Sequence, residues 1–209
     1  MKFLAYGLLI VFALAPWVRV APLATERKRP ELDALLEKLR DESTSDEAKR
    51  ALIQIVKSDP EAKAYVSERL PALLESYGGR GNRREDYTWG AAADLVAELR
   101  VAGAAPALCK RIDLITTGMV GLSFSYNFVN RGATIALIRI GQPAVPCVAD
   151  VLRHGTPLQR QEAAYVLGHI GTDDARHTLQ EQLPAEKDPD VGRRIDEALK
   201  QQPWNPRRQ

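Results

Sequence analysis

Aromatic residues are scarce in this chain: they make up 6% of its 209 residues, although 45% are hydrophobic. Sandwiches and barrels usually bury aromatic and β-branched strand residues, whereas closely packed helices use mainly Leu, Ile, Val and Ala. An excess of one charge is also missing, because the formal net charge is +2 and acids and bases are interspersed along most of the chain. The composition therefore predicts an all-α protein and gives no electrostatic footprint for nucleic acid.

Recognisable catalytic and metal-binding motifs are absent from the sequence. It contains no Gly-x-Ser-x-Gly, no His-Glu-x-x-His and no glycine-rich phosphate loop. His169, His177 and Asp173 come nearest to a ligand set, but no cysteine or further histidine completes it. Acidic pairs such as Asp173-Asp174 stand where helices are expected to begin, and there the helix dipole favours them. We expect no catalytic residue, no metal ion and no cofactor.

The longest apolar run follows Lys2 and spans residues 3–18. Its length fits the apolar region of an export signal and is slightly short for a membrane span. Residues 1–24 are therefore predicted to be an export signal that delivers the chain to the periplasm or the extracellular space. Pro16 and Pro22 make both candidate cleavage sites poor. An uncleaved membrane anchor through residues 3–18 and a buried first helix stay open as alternatives.

The next part of the chain predicts helices that are interrupted by polar segments. Four leucines at helical spacing between residues 32 and 39 predict a short amphipathic helix, preceded by a polar linker at 25–30. A break at Asp59-Pro60 predicts a helical pair, because proline suits the first turn of a new helix. Residues 77–89 carry three glycines and many charges without a period. This segment is predicted to be an exposed loop.

Repetition becomes clear from residue 89 onward. Segments that begin at Ala91, Gly132 and Glu162 superpose with one single-residue gap, and each predicts a helix, a tight break and a second helix. A period of about 30 to 45 residues made of helix pairs predicts an α-solenoid, an armadillo-type superhelix of stacked antiparallel pairs. The positions matched between the three units are apolar: Ala92, Ala133 and Ala163; Leu99, Ile140 and Ile170; Leu108, Val148 and Leu179; Ile112, Leu152 and Leu183.

The chain is thus predicted to have four segments. After the export signal or anchor come N-terminal helices with a degenerate repeat and a loop, then the helix-pair repeats, then a disordered tail. Their bounds are 1–24, 25–88, 89–201 and 202–209.

The stretch "EAAYVLGHIG" at 162–171 and its flanks resemble the HEAT-like repeat family, in particular the short bacterial repeats named after phycobilisome lyases. The family pattern has paired alanines, then Leu-Gly-x-Ile-Gly and Ala-x-x-x-Leu, and "DPDV" at 188–191 also matches it. The resemblance implies a binding scaffold, with a bilin-lyase-like enzyme or chaperone on the same fold as the alternative. Gly192 departs from the family, which usually has Arg there. The residues that follow the pattern in order are Arg160, Ala163, Ala164, Leu167, Gly168, Ile170, Gly171, Ala175 and Leu179.

Packing explains the small residues of this stretch without chemistry. Ala163 and Ala164 would let a neighbouring helix approach closely, and Gly171, like Gly141, can take the positive φ that ends a helix. His169 is then expected to be a surface residue.

The two cysteines stand beside equivalent core positions of successive second helices, with Cys109 after Leu108 and Cys147 before Val148. Helix axes about 8 to 10 Å apart would let their Cα atoms come within about 7 Å. A disulfide, two buried thiols and a reactive cysteine are the three alternatives that the sequence leaves open. An exported protein tolerates the first.

The exposed face of the second helices is the predicted partner-binding surface. Residues two positions after Leu108, Val148 and Leu179 lie about 200° round the helix and should face away from the core. An insertion at 113–130 alternates aromatic and polar residues, which predicts an extended segment or an apolar loop that either fills space or contacts a partner. The candidate partner-binding residues are Lys110, Asp113, Phe124, Tyr126, Asp150, Arg153 and Glu181.

The sequence as a whole predicts a non-catalytic scaffold that binds another protein outside the cytoplasm. The alternative to a partner-binding surface on the second helices is an ordinary solvated face. A nucleic-acid-binding protein is the other rival, which the basic pI of about 8.5 allows and the export signal opposes.

Overall fold

The computed structural model describes residues 23–77, 83–114, 116–117, 129–130 and 132–201, which form an all-α fold with one very short strand pair. The prediction of an all-α protein is confirmed. Strands β1 (Thr116–Thr117) and β2 (Val129–Asn130) pair antiparallel, and both lie between α5 and α6 in the sequence. Within the described residues the α-helices are α1 Leu23–Lys38, α2 Ser45–Ser58, α3 Pro60–Ser76, α4 Arg83–Leu99, α5 Ala105–Cys109, α6 Gly132–Ile140, α7 Val145–His154, α8 Pro157–Ile170, α9 Asp173–Gln182 and α10 Pro189–Lys200.

The polar linker predicted at 25–30 is wrong, because α1 already begins at Leu23 and contains Pro30. The alanine, glutamate, lysine and arginine residues before this proline are good helix formers, and they outweigh the one backbone hydrogen bond that proline removes. Residues 1–22, which carry most of the predicted export signal, lie outside the described residues, as does the predicted tail at 202–209.

The loop predicted at 77–89 is wrong in its second half, because α4 begins at Arg83. Glu85 and Asp86 lie in the first turn of this helix, where their charges favour the helix dipole. Trp89 is only 1% exposed and belongs to the core. The charged residues that predict a loop here are thus the first turn of a helix. The predicted boundary between the N-terminal helices and the helix-pair repeats, after residue 88, falls inside α4.

The three predicted helix pairs are present as α4/α5, α6/α7 and α8/α9. A residue with positive φ follows the first helix of each pair: Arg100 at 54°, Gly141 at 76° and Gly171 at 61°. The positive φ expected for the two glycines is confirmed. Arg100 takes the same conformation without the freedom that glycine has, so only the first pair has a non-glycine residue at its break.

Contacts between the helices follow their order in the chain. The first helices of the pairs contact one another in sequence, α4 with α6 and α6 with α8, and α8 also contacts α10. The second helices do the same, α5 with α7 and α7 with α9. Helices α1 to α3 contact one another, and α2 and α3 contact α4.

The stretch at 162–171 is a packing unit, as predicted. Ala163 and Ala164 are fully buried in α8. A Cβ atom added at Gly168 would lie 2.8 Å from the Cβ of Ala198 on α10, closer than real Cβ atoms approach. His169 is half-buried rather than on the open surface: its Nδ1 lies 2.8 Å from the backbone oxygen of Tyr165 and its Nε2 lies 2.8 Å from the side-chain nitrogen of Gln201.

Candidate partner-binding groove

A shallow groove of about 360 Å³ lies between α5 and α7 and ends at the start of α8; we call it the α5–α7 groove. It occupies the face of the second helices that the sequence predicted as the partner-binding surface. The residues that line it are Pro106, Cys109, Lys110, Cys147, Asp150, Val151, His154, Gly155 and Gln159.

The local sequence explains why this face of the helices points outward. Pro106 and Pro146 are the second residues of α5 and α7, where the missing N–H of proline does no harm. Leu108 and Val148 are fully buried, and the helical rotation then directs the residue two positions later to the outside. Lys110 is accordingly exposed just beyond the end of α5, and Asp150, its counterpart on α7, is exposed as well.

The far end of the groove depends on Gly155. A Cβ atom at this position would lie 2.7 Å from the backbone oxygen of Val151 and 2.9 Å from the Cβ of Gln159. Both neighbours line the groove. A side chain at residue 155 would therefore push apart two parts of the groove wall, and the short turn from α7 into α8 requires glycine for this close approach.

A disulfide joins Cys109 and Cys147, with their Cα atoms 6.3 Å apart. Cys109 is the last residue of α5 and is buried, whereas Cys147 lies in the first turn of α7 and is half-buried. Since the chain contains two cysteines, no thiol is left free. The disulfide cross-links two successive second helices and forms part of the groove lining.

Charged residues along this face are engaged in local ion pairs. Lys110 Nζ lies 2.9 Å from Glu75 Oε1 on α3. His154 Nδ1 lies 3.0 Å from Asp150 Oδ1, a contact that is an ion pair only when His154 is protonated. The side chains of both pairs are more than half exposed, at 68% and 53% for the first and 71% and 72% for the second. Exposed pairs of this kind add about 0 to 1 kcal/mol to stability. Their charges can therefore turn towards a partner at little cost to the fold.

The structure brings together only part of the predicted site. Lys110 and Asp150 are exposed and line the groove. Arg153 is exposed on α7 without lining it. Asp113 was predicted beside the exposed face, but it is half-buried in the turn after α5, and its Oδ1 accepts a hydrogen bond of 3.4 Å from Gln159 Nε2.

Three further predicted residues lie away from the groove or outside the described part. Glu181 is exposed on α9, where its Oε1 lies 3.1 Å from His177 Nε2, and it does not line the groove. Phe124 and Tyr126 fall outside the described residues.

Several groove residues were missed by the sequence reasoning. His154 stands one helical turn after Asp150 and shares its face of α7, so extending the predicted exposed face by one turn could have found it. Val151 is half-buried beside the buried stripe of α7. Gln159 contacts the groove from the next pair of helices, and no spacing within α5 or α7 points to it.

Within the part of the chain that the structure describes, no group of three or more His, Cys, Asp or Glu side chains is placed to hold a metal ion. No single described helix is long and apolar enough to cross a membrane. Helix α6 and the segment Gln142–His154 are long and apolar enough only when taken together, and they meet at a bend of 117°.

Comparisons with protein-family models, with curated proteins and with solved structures find no match for this chain. The HEAT-like resemblance stays a prediction from the sequence.

Proposed function

We propose that the chain is an exported, non-catalytic α-solenoid of the HEAT-like kind, which binds an extended segment of a protein partner in the α5–α7 groove. The order of helix contacts supports the solenoid part of the proposal, because stacked helix pairs place each helix against its counterparts in the neighbouring pairs. The disulfide supports export, since structural disulfides persist mainly in oxidising compartments.

The observation that carries the binding proposal is the chemical layout of the groove. The lining combines the apolar side chains of Pro106 and Val151 and the disulfide with the exposed and oppositely charged Lys110 and Asp150. Protein interfaces likewise combine apolar contacts with polar groups at their edge. A partner segment would place an apolar side chain against the apolar lining and complementary charges beside Lys110 and Asp150.

The location of the partner is tested by replacing Val151 with a photo-cross-linking amino acid. Cross-linking is carried out in the compartment where the chain resides, and the captured peptide is identified by mass spectrometry. The control variant carries the same amino acid at Ile135, an exposed apolar residue of α6 that does not line the groove. A partner captured at residue 151 and not at residue 135 supports the proposal. Equal capture at both positions rejects it.

The charge contribution is tested on the captured partner with the variant Lys110→Glu, Asp150→Lys and Arg153→Glu. Rim charges act mainly on the association rate, so this variant should associate about tenfold more slowly at low salt with an unchanged melting temperature. The matched control reverses three exposed charges of α2 and α3 with the same change in net charge: Lys57→Glu, Lys63→Glu and Glu68→Lys. Equal association rates for the two triple variants would show that the partner binds elsewhere.

A further inference from the structure

One wall of the α5–α7 groove is formed by the shortest described α-helix. Helix α5 has 5 residues, compared with 10 in α7. A helix of this length is not stable by itself and holds its position through its surroundings. It is followed by turns from Lys110 to Asp113 instead of further helix. The wall that presents Lys110 therefore depends on whatever fastens α5 to the rest of the molecule.

The disulfide is the covalent link between the two walls. Cys109 directly precedes Lys110, and Cys147 lies one helical turn before Val151, so each half of the cross-link adjoins a groove residue on its own helix. The two cysteines are separated by 38 positions, and the intervening chain includes β1 and β2. Cys147 is half-buried and lines the groove, so a thiol reagent that enters the groove has access to this side of the bond.

We propose that oxidation of Cys109 and Cys147 forms the α5–α7 groove, so that the chain becomes competent to bind its partner only once the disulfide is made. This inference rests on the proposed function and adds its regulation. In the reduced chain α5 would lose its covalent link to α7 and keep only its noncovalent contacts with α3, α6 and α7. The short helix could then shift against α7, and the distance between Lys110 and Asp150 would vary. The longer helices would stay packed through their own buried residues, such as Leu137 on α6 and Leu152 on α7, which are both 0% exposed.

The chemistry is an exchange with an oxidant that carries a disulfide, such as oxidised glutathione. The thiolate of Cys147 attacks one sulfur of the oxidant, and a mixed disulfide forms while the first thiol of the oxidant leaves. The thiolate of Cys109 then attacks Cys147 Sγ, and the second thiol of the oxidant leaves. Two protons and two electrons pass from the chain to the oxidant. Cys147 acts first because it is half-buried and lines the groove, whereas Cys109 is buried.

The test is amide hydrogen exchange, measured by mass spectrometry on the full chain in the oxidised form and after reduction with a phosphine. Peptides from 105–114 and 145–154 report the groove, and peptides from α10 report any change in global stability. We expect reduction to accelerate exchange at the groove at least about tenfold more than in α10. Equal acceleration in both regions, or no change at all, would overturn the inference. So would two titratable thiols in the chain purified under oxidising conditions.

The control is the variant Cys109→Ser/Cys147→Ser, which should exchange like the reduced wild-type chain and should not respond to the phosphine. A response of this variant to the phosphine would show that the effect does not come from the disulfide, and would overturn the inference. If the variant does not fold, reoxidation of the reduced wild-type chain with oxidised glutathione must restore slow exchange at the groove. A failure of the proposed function appears in a different measurement, the cross-linking at residue 151.

Discussion

Replacing Gly168 with alanine should destabilise the protein, although alanine is the better helix former. The added Cβ would lie 2.8 Å, 2.9 Å and 3.0 Å from the Cβ, Cα and backbone oxygen of Ala198. Two of these three atoms are backbone, so α8 and α10 must move apart. Overpacking of this kind costs about 1 to 3 kcal/mol. The gain from removing a helical glycine is at most about 1 kcal/mol.

The net expectation for Gly168→Ala is a loss of up to about 2 kcal/mol in the free energy of unfolding, and a melting temperature lower by up to about 8 °C. Urea unfolding at neutral pH measures the first quantity and calorimetry the second. The matched control is Gly192→Ala in α10, where a Cβ would meet no atom within 4 Å. This control should stabilise the protein by about 0.5 to 1 kcal/mol.

A double-mutant cycle with Ala198→Gly tests the cause. The second change alone weakens α10 by about 1 kcal/mol, but it removes one of the three close contacts with the new Cβ. The two changes together should therefore destabilise less than the sum of the single changes. The explanation is refuted if Gly168→Ala stabilises the protein as much as Gly192→Ala does.

Three further predictions concern single residues. Arg100→Gly should stabilise the protein by about 0.5 to 1 kcal/mol in urea unfolding, because glycine takes the φ of 54° without strain; an unchanged midpoint would mean that the turn is not strained. Burial alone would raise the pKa of Glu186, but the backbone N–H of Asp188 and the guanidinium of Arg160 outweigh it and hold this pKa below 4.5. The resulting stability is present above about pH 4.5 and is lost as the pH falls through the lowered pKa. Urea unfolding at pH 7 and pH 3 should therefore lose less stability in Glu186→Gln than in the wild type, and equal losses would contradict this. Ala164→Leu should destabilise by about 1 to 3 kcal/mol, because Ala164 is 0% exposed; a wild-type melting temperature would contradict this.

The helix pairs were predictable because their signals are local. Apolar residues recur at helical spacing, and Gly141, Gly171 and the prolines at the starts of α5 and α7 punctuate the helices. Arg100 shows the limit of such signals. It takes a φ of 54° at the break between α4 and α5, and nothing about arginine indicates that conformation.

The candidate site was predictable only in outline. Helical rotation placed Lys110 and Asp150 on the outer face, but the groove between them depends on the end of α5 at Cys109. The pairing of Cys109 with Cys147 depends on the relative placement of two helices that are far apart in the sequence, so three alternatives stayed open. The start of α4 was missed because its first turns are charged and its apolar periodicity begins only near Trp89.

The pairing of β1 with β2 has a consequence for protein engineering. Thr117 pairs with Val129, so the chain leaves the helices and returns to them at neighbouring points. Lengthening the connection between such fixed ends costs only about 0.6 kcal/mol for each doubling of its length. An epitope tag or a small reporter domain grafted between residues 118 and 128 would thus begin and end at the paired strands β1 and β2 and leave the register of α6 unchanged.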